Sequence, residues 1–167
     1  GRRDAHSVLF FVVVFAVPVT DVIAVVEPAV QSGNCGEASP REIVMSKRVL
    51  DVGQCGPDHA AISRMLTSGF GAVVDRAADA EDCLALLASR PYALVLVNRK
   101  LDCDYSDGLS VIRAIRDRTE FADVKVMLVS NYPEAHASAI AVGALPGFGK
   151  DELTNASTLD LLSTILG

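Results

Sequence analysis

Polar residues that could bind a ligand stand directly after apolar stretches of this chain. Asn98 follows Ala93-Leu94-Val95-Leu96-Val97, Ser130 follows Val126-Met127-Leu128-Val129, and Gly53-Gln54 follow a shorter stretch that begins at Arg48. A carboxylate at position 98 could attack phosphorus or bind a metal ion, but a neutral amide is a poor nucleophile and carries no negative charge. Together with Lys150, these residues would form a neutral, polar pocket in which lysine is the main charge, so a small anion could bind there.

Short apolar stretches alternate with amphipathic ones from residue 47 to residue 167. Strands are predicted at 48–52, 72–74, 92–97, 124–129 and 145–149. Helices are predicted to begin at Asp58, at Asp79 or Ala80, at Asp107-Gly108, at Pro133 or Glu134, and at Thr154 or Asn155. Five such pairs predict an α/β fold, with a parallel sheet covered by helices on both faces. In such folds ligands bind beyond the carboxyl ends of the strands, which is where Asn98 and Ser130 stand.

The chain from about residue 47 to residue 167 resembles the receiver domain of two-component response regulators. The resemblance rests on the strand that ends at Asn98 with the helix opened by Asp107-Gly108, on Val126-Met127-Leu128-Val129-Ser130, and on the run from Gly143 to Lys150. It implies a flavodoxin-like three-layer sandwich of five parallel strands in the order 2-1-3-4-5. It also implies that Ser130 is the hydroxyl residue of the phosphoryl site and that Lys150 is the retained lysine.

The same resemblance implies that the chemical step has been lost. Receivers bind magnesium through two acidic residues after the first strand and through the acceptor aspartate. Here Gly53 and Gln54 match the acidic pair and Asn98 matches the acceptor. Because Mg²⁺ prefers hard oxygen ligands such as carboxylates, we expect Mg²⁺ binding to be lost, with no metal and no other cofactor.

Further positions depart from the receiver pattern. The loop 99–106 is about two residues longer than the family's spacing, and the aromatic switch position falls on Gly147, with Phe148 one place later. Asp151 replaces the proline that follows the lysine. We expect a degenerate, stand-alone receiver related to phosphorelay signalling that is not an enzyme, does not depend on phosphorylation and acts through protein–protein contacts. By analogy with the family, those contacts would use the fourth helix, fifth strand and fifth helix. The alternative is a sensor that binds a small anion or metabolite in the neutralised pocket.

Several residues can be interpreted either as functional or as purely structural. Asp102, Asp104 and Asp107 could replace the lost cation site, but an acidic loop that leads into a helix is favoured. Lys150 could neutralise a loop aspartate, hydrogen-bond Asn98 or be solvated. Cys55 and Cys103 could form a redox or metal site near His59, but isolated thiols are the simpler interpretation. No partner is evident for His136, and the sequence contains no recognisable pair of nucleophile and base.

Composition excludes some functions. The formal net charge is −6, and neither residues 1–46 nor residues 47–167 carry a basic excess, so nucleic-acid binding is not expected. The partner would be a histidine kinase or another signalling protein, with a homodimer as a further option. Four scattered cysteines with no CxxC pair suit a reducing compartment, which favours a cytoplasmic location.

Residues 1–46 differ from the rest of the chain. Twelve apolar residues, 8–19, follow Arg2 and Arg3, and Met45-Ser46-Lys47 then reads like a natural start. Twelve residues are too few for a membrane span, which needs about 20. We expect residues 1–46 to be an apolar segment and linker included through a misplaced start. A signal or anchor at 8–26 and an additional packed element are the alternatives.

Overall fold

The computed structural model describes residues 47–167. The predictions for the N-terminal segment lie outside these residues. The strands and helices alternate along the chain as β1 Arg48–Val52, α1 Gly56–Phe70, β2 Val73–Ala77, α2 Ala80–Ser89, β3 Leu94–Asn98, α3 Gly108–Arg116, β4 Val126–Val129, α4 Pro133–Ala141, β5 Leu145–Phe148 and α5 Ala156–Leu166. Short 3-10 helices occupy Thr119–Phe121 and Lys150–Glu152.

All five strands are parallel and lie in the order β2-β1-β3-β4-β5, which confirms the predicted fold. β3 is central and each of its five residues is buried, as its uninterrupted apolar sequence predicted. The sheet has helices on both faces because alternate residues of the strands feed two separate cores. Val95 and Val97 pack with α2, α3 and α4, whereas Leu94 and Leu96 pack with α1 and α5.

The N-terminal caps of α1 and α3 determine where these two helices begin beside the site. The Asp107 side chain accepts a hydrogen bond from the Leu109 backbone N–H and caps α3, as predicted. The prediction of Asp58 as the cap of α1 is wrong, because Cys55 is the cap and Pro57 stands in the first turn. Proline fits there because the first helical N–H groups need no partner within the helix. The earlier start places His59 in the first complete turn of α1, with its N–H bonded to the Cys55 carbonyl.

The outer strands are less regular than the centre. β2 extends to Ala77, beyond the predicted 72–74, because Asp75 and Arg76 continue the strand with polar side chains. β5 contains a bulge, since Met127 pairs with Leu145 but Val129 pairs with Phe148. The extra residue turns Phe148 into the core beside α1 and α5, where only 2% of it is exposed. Within residues 47–167, no helix is both long and apolar enough to cross a membrane.

Candidate functional site

The carboxyl ends of β1, β3 and β4 bring the predicted site residues to one edge of the sheet. Asn98 is the last residue of β3, and Ser130 directly follows β4. Both are buried, at 8% and 4% exposure. The parallel register pairs Asn98 with Val129, so the amide and the hydroxyl residue lie on adjacent strands.

Asn98 is tied to the backbone on both sides. Its Nδ2 donates to the carbonyl oxygen of Gly53 at 2.9 Å and to that of Lys100 at 2.6 Å. An amide nitrogen has two hydrogens, so both donors are used. A carboxylate could make neither bond, and Asn98 therefore joins the β1–α1 loop to the loop that follows β3.

Gly53 lies against Leu101, a loop residue that is fully buried. Its φ of 70° is in the left-handed region, and a Cβ placed on it would overlap the Leu101 side chain. The Gly53 carbonyl also accepts a hydrogen bond from the Asp102 backbone N–H at 3.0 Å. An apolar side chain thus occupies the space that a residue with a side chain would need at position 53.

Gln54 is completely buried, and its backbone carbonyl accepts a hydrogen bond from Arg76 at 2.6 Å. Its side-chain oxygen and nitrogen contact no hydrogen-bonding partner among residues 47–167. Neither Gly53 nor Gln54 borders the cavity beside Asn98. The expectation that both would line the pocket is wrong, because Leu101 covers Gly53 and Gln54 is enclosed.

Asp51 is a functional candidate that the sequence analysis missed. It is fully buried in β1, and its Oδ2 lies 2.6 Å from His59 Nδ1. His59 Nε2 lies 3.4 Å from the Ser63 hydroxyl, so a carboxylate on β1 and an imidazole and a hydroxyl on α1 form a chain. An aspartate inside an apolar strand was the available signal. The sequence analysis recognised no pair of nucleophile and base, and the structure places the Ser63 hydroxyl 3.4 Å from the His59 ring.

Burial has the largest effect on the pKa of the Asp51 carboxyl. Desolvation raises the pKa of its carboxyl above the ordinary value of 3.8, while the hydrogen bond and charge of His59 oppose that rise. The other oxygen, Oδ1, has no partner in the described part of the chain. Five clefts on residues 47–167 have linings that do not include Ser63. This arrangement is suited to holding α1 against β1.

A cavity of about 190 Å³ opens beside Asn98. Its lining contains three cationic side chains and several neutral residues: Asn98, Arg99, Lys100, Val129, Ser130, Asn131, Tyr132 and Lys150. The structure therefore brings Asn98, Ser130 and Lys150 together as predicted. Arg99 and Lys100 were missed, although both directly follow Asn98 in the sequence.

Lys150 is bound to α1 rather than to the acceptor position. Its Nζ donates to Asp58 at 2.5 Å, and both side chains are about one-third exposed. This hydrogen bond is the main reason that the pKa of the Asp58 carboxyl falls below its ordinary value. Of the options left open for Lys150, neither Asn98 nor an aspartate of the loop 99–106 is its partner.

His136 lies beside Gly147, the position that the resemblance matches to the aromatic switch of receivers. Gly147 has no side chain, and the His136 ring comes to within 3.1 Å of the point where a Cβ would stand. His136 Nε2 donates to the Ser130 carbonyl at 2.6 Å, so the expectation that His136 has no partner is wrong. A cleft of about 430 Å³ lies between α4 and β5, bordered by His136, Gly147 and Asp151 among others. Asp151 accepts a hydrogen bond from Asn131.

Asp104 and Asp107 form hydrogen bonds with backbone N–H groups of nearby residues. Asp104 Oδ1 accepts from the Ser106 N–H at 2.9 Å, and Asp107 caps α3 while its carboxylate lies 3.5 Å from Lys100. Cys55 and Cys103 are free thiols. Within residues 47–167, no three side chains of the types histidine, cysteine, aspartate and glutamate are grouped so as to hold a metal ion.

Magnesium does not fit the residues at the receiver-equivalent positions. Gly53 offers no side chain, Gln54 is enclosed, and Asn98 directs its amide hydrogens at two carbonyl oxygens. The adjacent cavity is lined by Arg99, Lys100 and Lys150, whose charges repel a cation. These residues lack the carboxylate set that a divalent hard cation needs.

Solved structures with the same fold are numerous, although no protein-family model and no curated protein matches the sequence. The receiver domain of a DNA-binding response regulator (merR) from Colwellia psychrerythraea superposes with a TM-score of 0.62 at 18% identity, covering 71% of this chain and 97% of that one. The receiver domain of NtrX from Brucella abortus superposes with a TM-score of 0.59 at 25% identity, covering 70% of this chain and 94% of that one. Chemotaxis protein CheY4 of Vibrio cholerae superposes with a TM-score of 0.58 at 21% identity, covering 72% of this chain and 99% of that one. Residues 47–167 therefore have the flavodoxin-like fold of response-regulator receiver domains.

Proposed function

We propose that residues 47–167 form a phosphorylation-independent receiver that takes part in two-component signalling by binding another protein. The observation that carries this proposal is the use of both Asn98 amide hydrogens on backbone carbonyls of two separate loops. In this arrangement the side chain at the acceptor position holds the site in one conformation. Mg²⁺ binding and phosphoryl transfer are absent in this proposal, because the carboxylates that would organise them are missing.

The contact surface in this proposal is formed by α4 and β5. Ile140 of α4 is 48% exposed and Leu145 of β5 is 37% exposed. Exposed apolar side chains on neighbouring elements are what a protein partner can bury. The partner would be a histidine kinase or another signalling protein, and the site of action would be the cytoplasm.

The first test is treatment with a small phosphodonor and magnesium, followed by intact-mass measurement. The expected result is no added phosphate, because an amide gives no acyl phosphate. The same measurement on an aspartate-bearing receiver domain serves as the positive control. A stable gain of one phosphate within residues 47–167 would contradict the proposal.

The second test separates the contact surface from the rest of the molecule. Ile140→Glu should abolish binding of an interacting protein, because a charge would have to be buried at the contact. Val73→Glu is the matched control, since Val73 is 39% exposed on β2 at the other side of the sheet. Equal loss of binding in both variants would contradict the assignment of the surface.

An anion sensor is a second candidate that one observation favours, namely the cationic lining of the cavity beside Asn98. Enzymatic activity is not proposed. The Asp51–His59–Ser63 chain has the order of groups used for nucleophilic catalysis. However, Ser63 is not among the residues that line five clefts on residues 47–167.

A further inference from the structure

The cleft of about 430 Å³ between α4 and β5 has a negatively charged lining. Asp151 and Glu152 border it, and none of the described residues that line it is a lysine or an arginine. The wider surface follows the same trend, because residues 131–167 contain four acidic side chains and one lysine. That lysine, Lys150, is paired with Asp58. The local charge therefore favours a positively charged occupant.

The two carboxylates of the cleft are held in place by neutral groups. Asp151 Oδ2 accepts a hydrogen bond from Asn131 Nδ2 at 2.7 Å, and the Asp151 backbone N–H donates to Asn131 Oδ1 at 3.3 Å. Glu152 Oε2 accepts a hydrogen bond from the Gly149 backbone N–H at 2.7 Å. Neither carboxylate forms a salt bridge within residues 47–167. Both negative charges therefore lie at the cleft without a cationic partner in this part of the chain.

The chain itself does not fill the cleft at Gly147. A Cβ on Gly147 would overlap the Leu128 carbonyl oxygen and would lie 3.1 Å from the His136 ring, so no side chain fits there. His136 Nε2 donates to the Ser130 carbonyl oxygen, and in the neutral ring Nδ1 is then an acceptor. This Nδ1 has no hydrogen-bonding partner within residues 47–167. The walls of the cleft therefore offer acceptors and negative charge to a group that enters it.

Exposed apolar side chains lie about one helical turn from the cleft. His136 and Ile140 are four residues apart in α4, so they share one face of the helix and lie about 6 Å apart along its axis. Ile140 is 48% exposed, and Leu145 at the start of β5 is 37% exposed. Three residues join α4 to β5, so the end of the helix that carries Ile140 lies near Leu145. The groove between α4 and β5, here called the α4–β5 groove, is therefore acidic at one end and apolar at the other.

An arginine fits the acidic end of the α4–β5 groove better than a lysine does. Its planar guanidinium has five N–H groups in a fixed fork, which can donate to two carboxylates at once. A lysine ammonium is a compact and strongly hydrated charge without that fork. On a helix, residues three or four positions apart are separated by about 5–6 Å, which is close to the spacing between the two ends of the groove. A helix with an arginine and an apolar residue at this spacing therefore complements both ends.

We propose that the α4–β5 groove binds a basic amphipathic helix of another protein. An arginine of that helix donates to the Asp151 and Glu152 carboxylates, and an apolar residue one turn away packs on Ile140 and Leu145. The inference rests on the proposed function, since it names the chemistry of the partner that α4 and β5 bind. It requires no metal ion and no covalent step. Because part of the attraction is between opposite charges, binding should weaken as ionic strength rises.

The test uses a fluorescein-labelled helical peptide, built on alanine and glutamine, that carries an arginine and a leucine four positions apart. The peptide is titrated with the full chain, and binding is read by fluorescence anisotropy. We expect a Kd of about 100 μM or lower at low ionic strength. A peptide with glutamine in place of the arginine should bind about tenfold more weakly, because it lacks the charged hydrogen bonds. A peptide with lysine there should be intermediate. Equal affinity of the arginine and glutamine peptides would overturn the inference, and equal affinity of the arginine and lysine peptides would overturn the choice of arginine.

Substitutions in the protein locate the binding site of the peptide. Asp151→Asn and Glu152→Gln keep an acceptor oxygen but remove the charge, and each should raise the Kd of the arginine peptide by about fivefold or more. Glu81→Gln is the matched control, because Glu81 is exposed on α2 and is not among the residues that line the cleft. It changes the net charge equally and should leave the Kd unchanged. Equal weakening by Asp151→Asn and Glu81→Gln would show attraction to overall charge alone and would overturn the inference.

Two further results keep this inference apart from the proposed function. If Ile140→Glu abolishes binding of an interacting protein but the arginine peptide does not bind, the inference of a basic helix fails and the proposed function stands. If Ile140→Glu leaves that protein bound, the surface assigned in the proposed function fails. Light scattering tests a second copy of this chain as the occupant, and we expect a monomer. A dimer that Asp151→Asn dissociates would overturn the choice of another protein.

Discussion

The two halves of the site differ in how far side chains fill them. At the end of β1, Leu101 packs against Gly53 and the Asp51 carboxylate is bonded to His59, so this half is closed. At the ends of β3 and β4, a cavity remains, with Arg99 and the Ser130 hydroxyl beside it. The half at the end of β1 is filled by packed side chains. The half at the ends of β3 and β4 keeps an open cavity bordered by cationic side chains.

Because of this contrast, substitutions in one half should change the stability of the fold, and substitutions in the other half should change ligand binding. Substitutions in the β1 half should lower the free energy of unfolding, because they disturb buried contacts. Arg99→Ala, in the open half, should cost little stability and should instead change anion affinity. Each of the following substitutions tests where one half ends and the other begins.

The largest loss is expected for Gly53→Asp, which restores a carboxylate to the matching position of the acidic pair. The new side chain would overlap Leu101 and adopt a positive φ, at a cost of about 4 kcal/mol in unfolding free energy. Urea denaturation measures this. Gly69→Ala is the control, because a Cβ there meets no atom within 4 Å inside α1, and it should stabilise the domain by about 0.5 kcal/mol. A fully stable Gly53→Asp variant would show that the β1 half is still open.

A loss of about 3 kcal/mol at neutral pH is expected for His59→Ala, because it leaves the buried Asp51 carboxylate without its partner. The pKa of Asp51 is already raised by burial, and loss of His59 would raise it further. A raised pKa in the folded state gives stability below pH 3.8 that is lost as pH rises through the folded value.

The destabilisation by His59→Ala should therefore be small near pH 4 and should grow toward neutral pH. Thermal unfolding across this range measures the slope. Asp51→Asn removes the titrating group, so a double variant that carries both substitutions should lose the pH dependence. A destabilisation that is independent of pH would show that His59 contributes through packing alone.

A smaller loss, about 2 kcal/mol, is expected for Asn98→Asp, at the boundary of the two halves. The new carboxylate would face the carbonyl oxygens of Gly53 and Lys100 in place of two donated hydrogen bonds. Asn155→Asp is a matched control, since Asn155 is the exposed cap of α5, where a carboxylate is accepted. Denaturation and intact mass after phosphodonor treatment check both variants. Phosphate gain by Asn98→Asp would mean that an acceptor suffices without the acidic pair.

The sheet could be predicted because its central strands are apolar throughout. Leu94–Val97 and Val126–Val129 have no competing interpretation, and the residue after each is thereby placed at the ligand edge. The extent of β2 was underestimated because Asp75 and Arg76 are polar, which an outer strand tolerates. Periodicity reports burial, so it describes the centre of a sheet better than its margin.

The packing of Leu101 against Gly53 and of His59 against Asp51 could not be predicted from the sequence. Leu101 stands in a loop of polar residues, and its contact with Gly53 depends on loop conformation and not on any repeat. The Asp51–His59 pair depends on how α1 packs against β1, and a predicted helix start at Asp58 does not specify that packing. Asp51 itself was visible as an acidic residue in an apolar strand, and its burial required a partner.

The bulge in β5 affects how copies of the molecule can meet. β5 is an outer strand, and its extra residue, together with Pro146, interrupts the regular row of backbone donors and acceptors that a further strand would need. Open-ended sheet growth from one molecule to the next is therefore disfavoured on this side. A protein that binds beside β5 therefore has to recognise side chains and cannot simply extend the sheet.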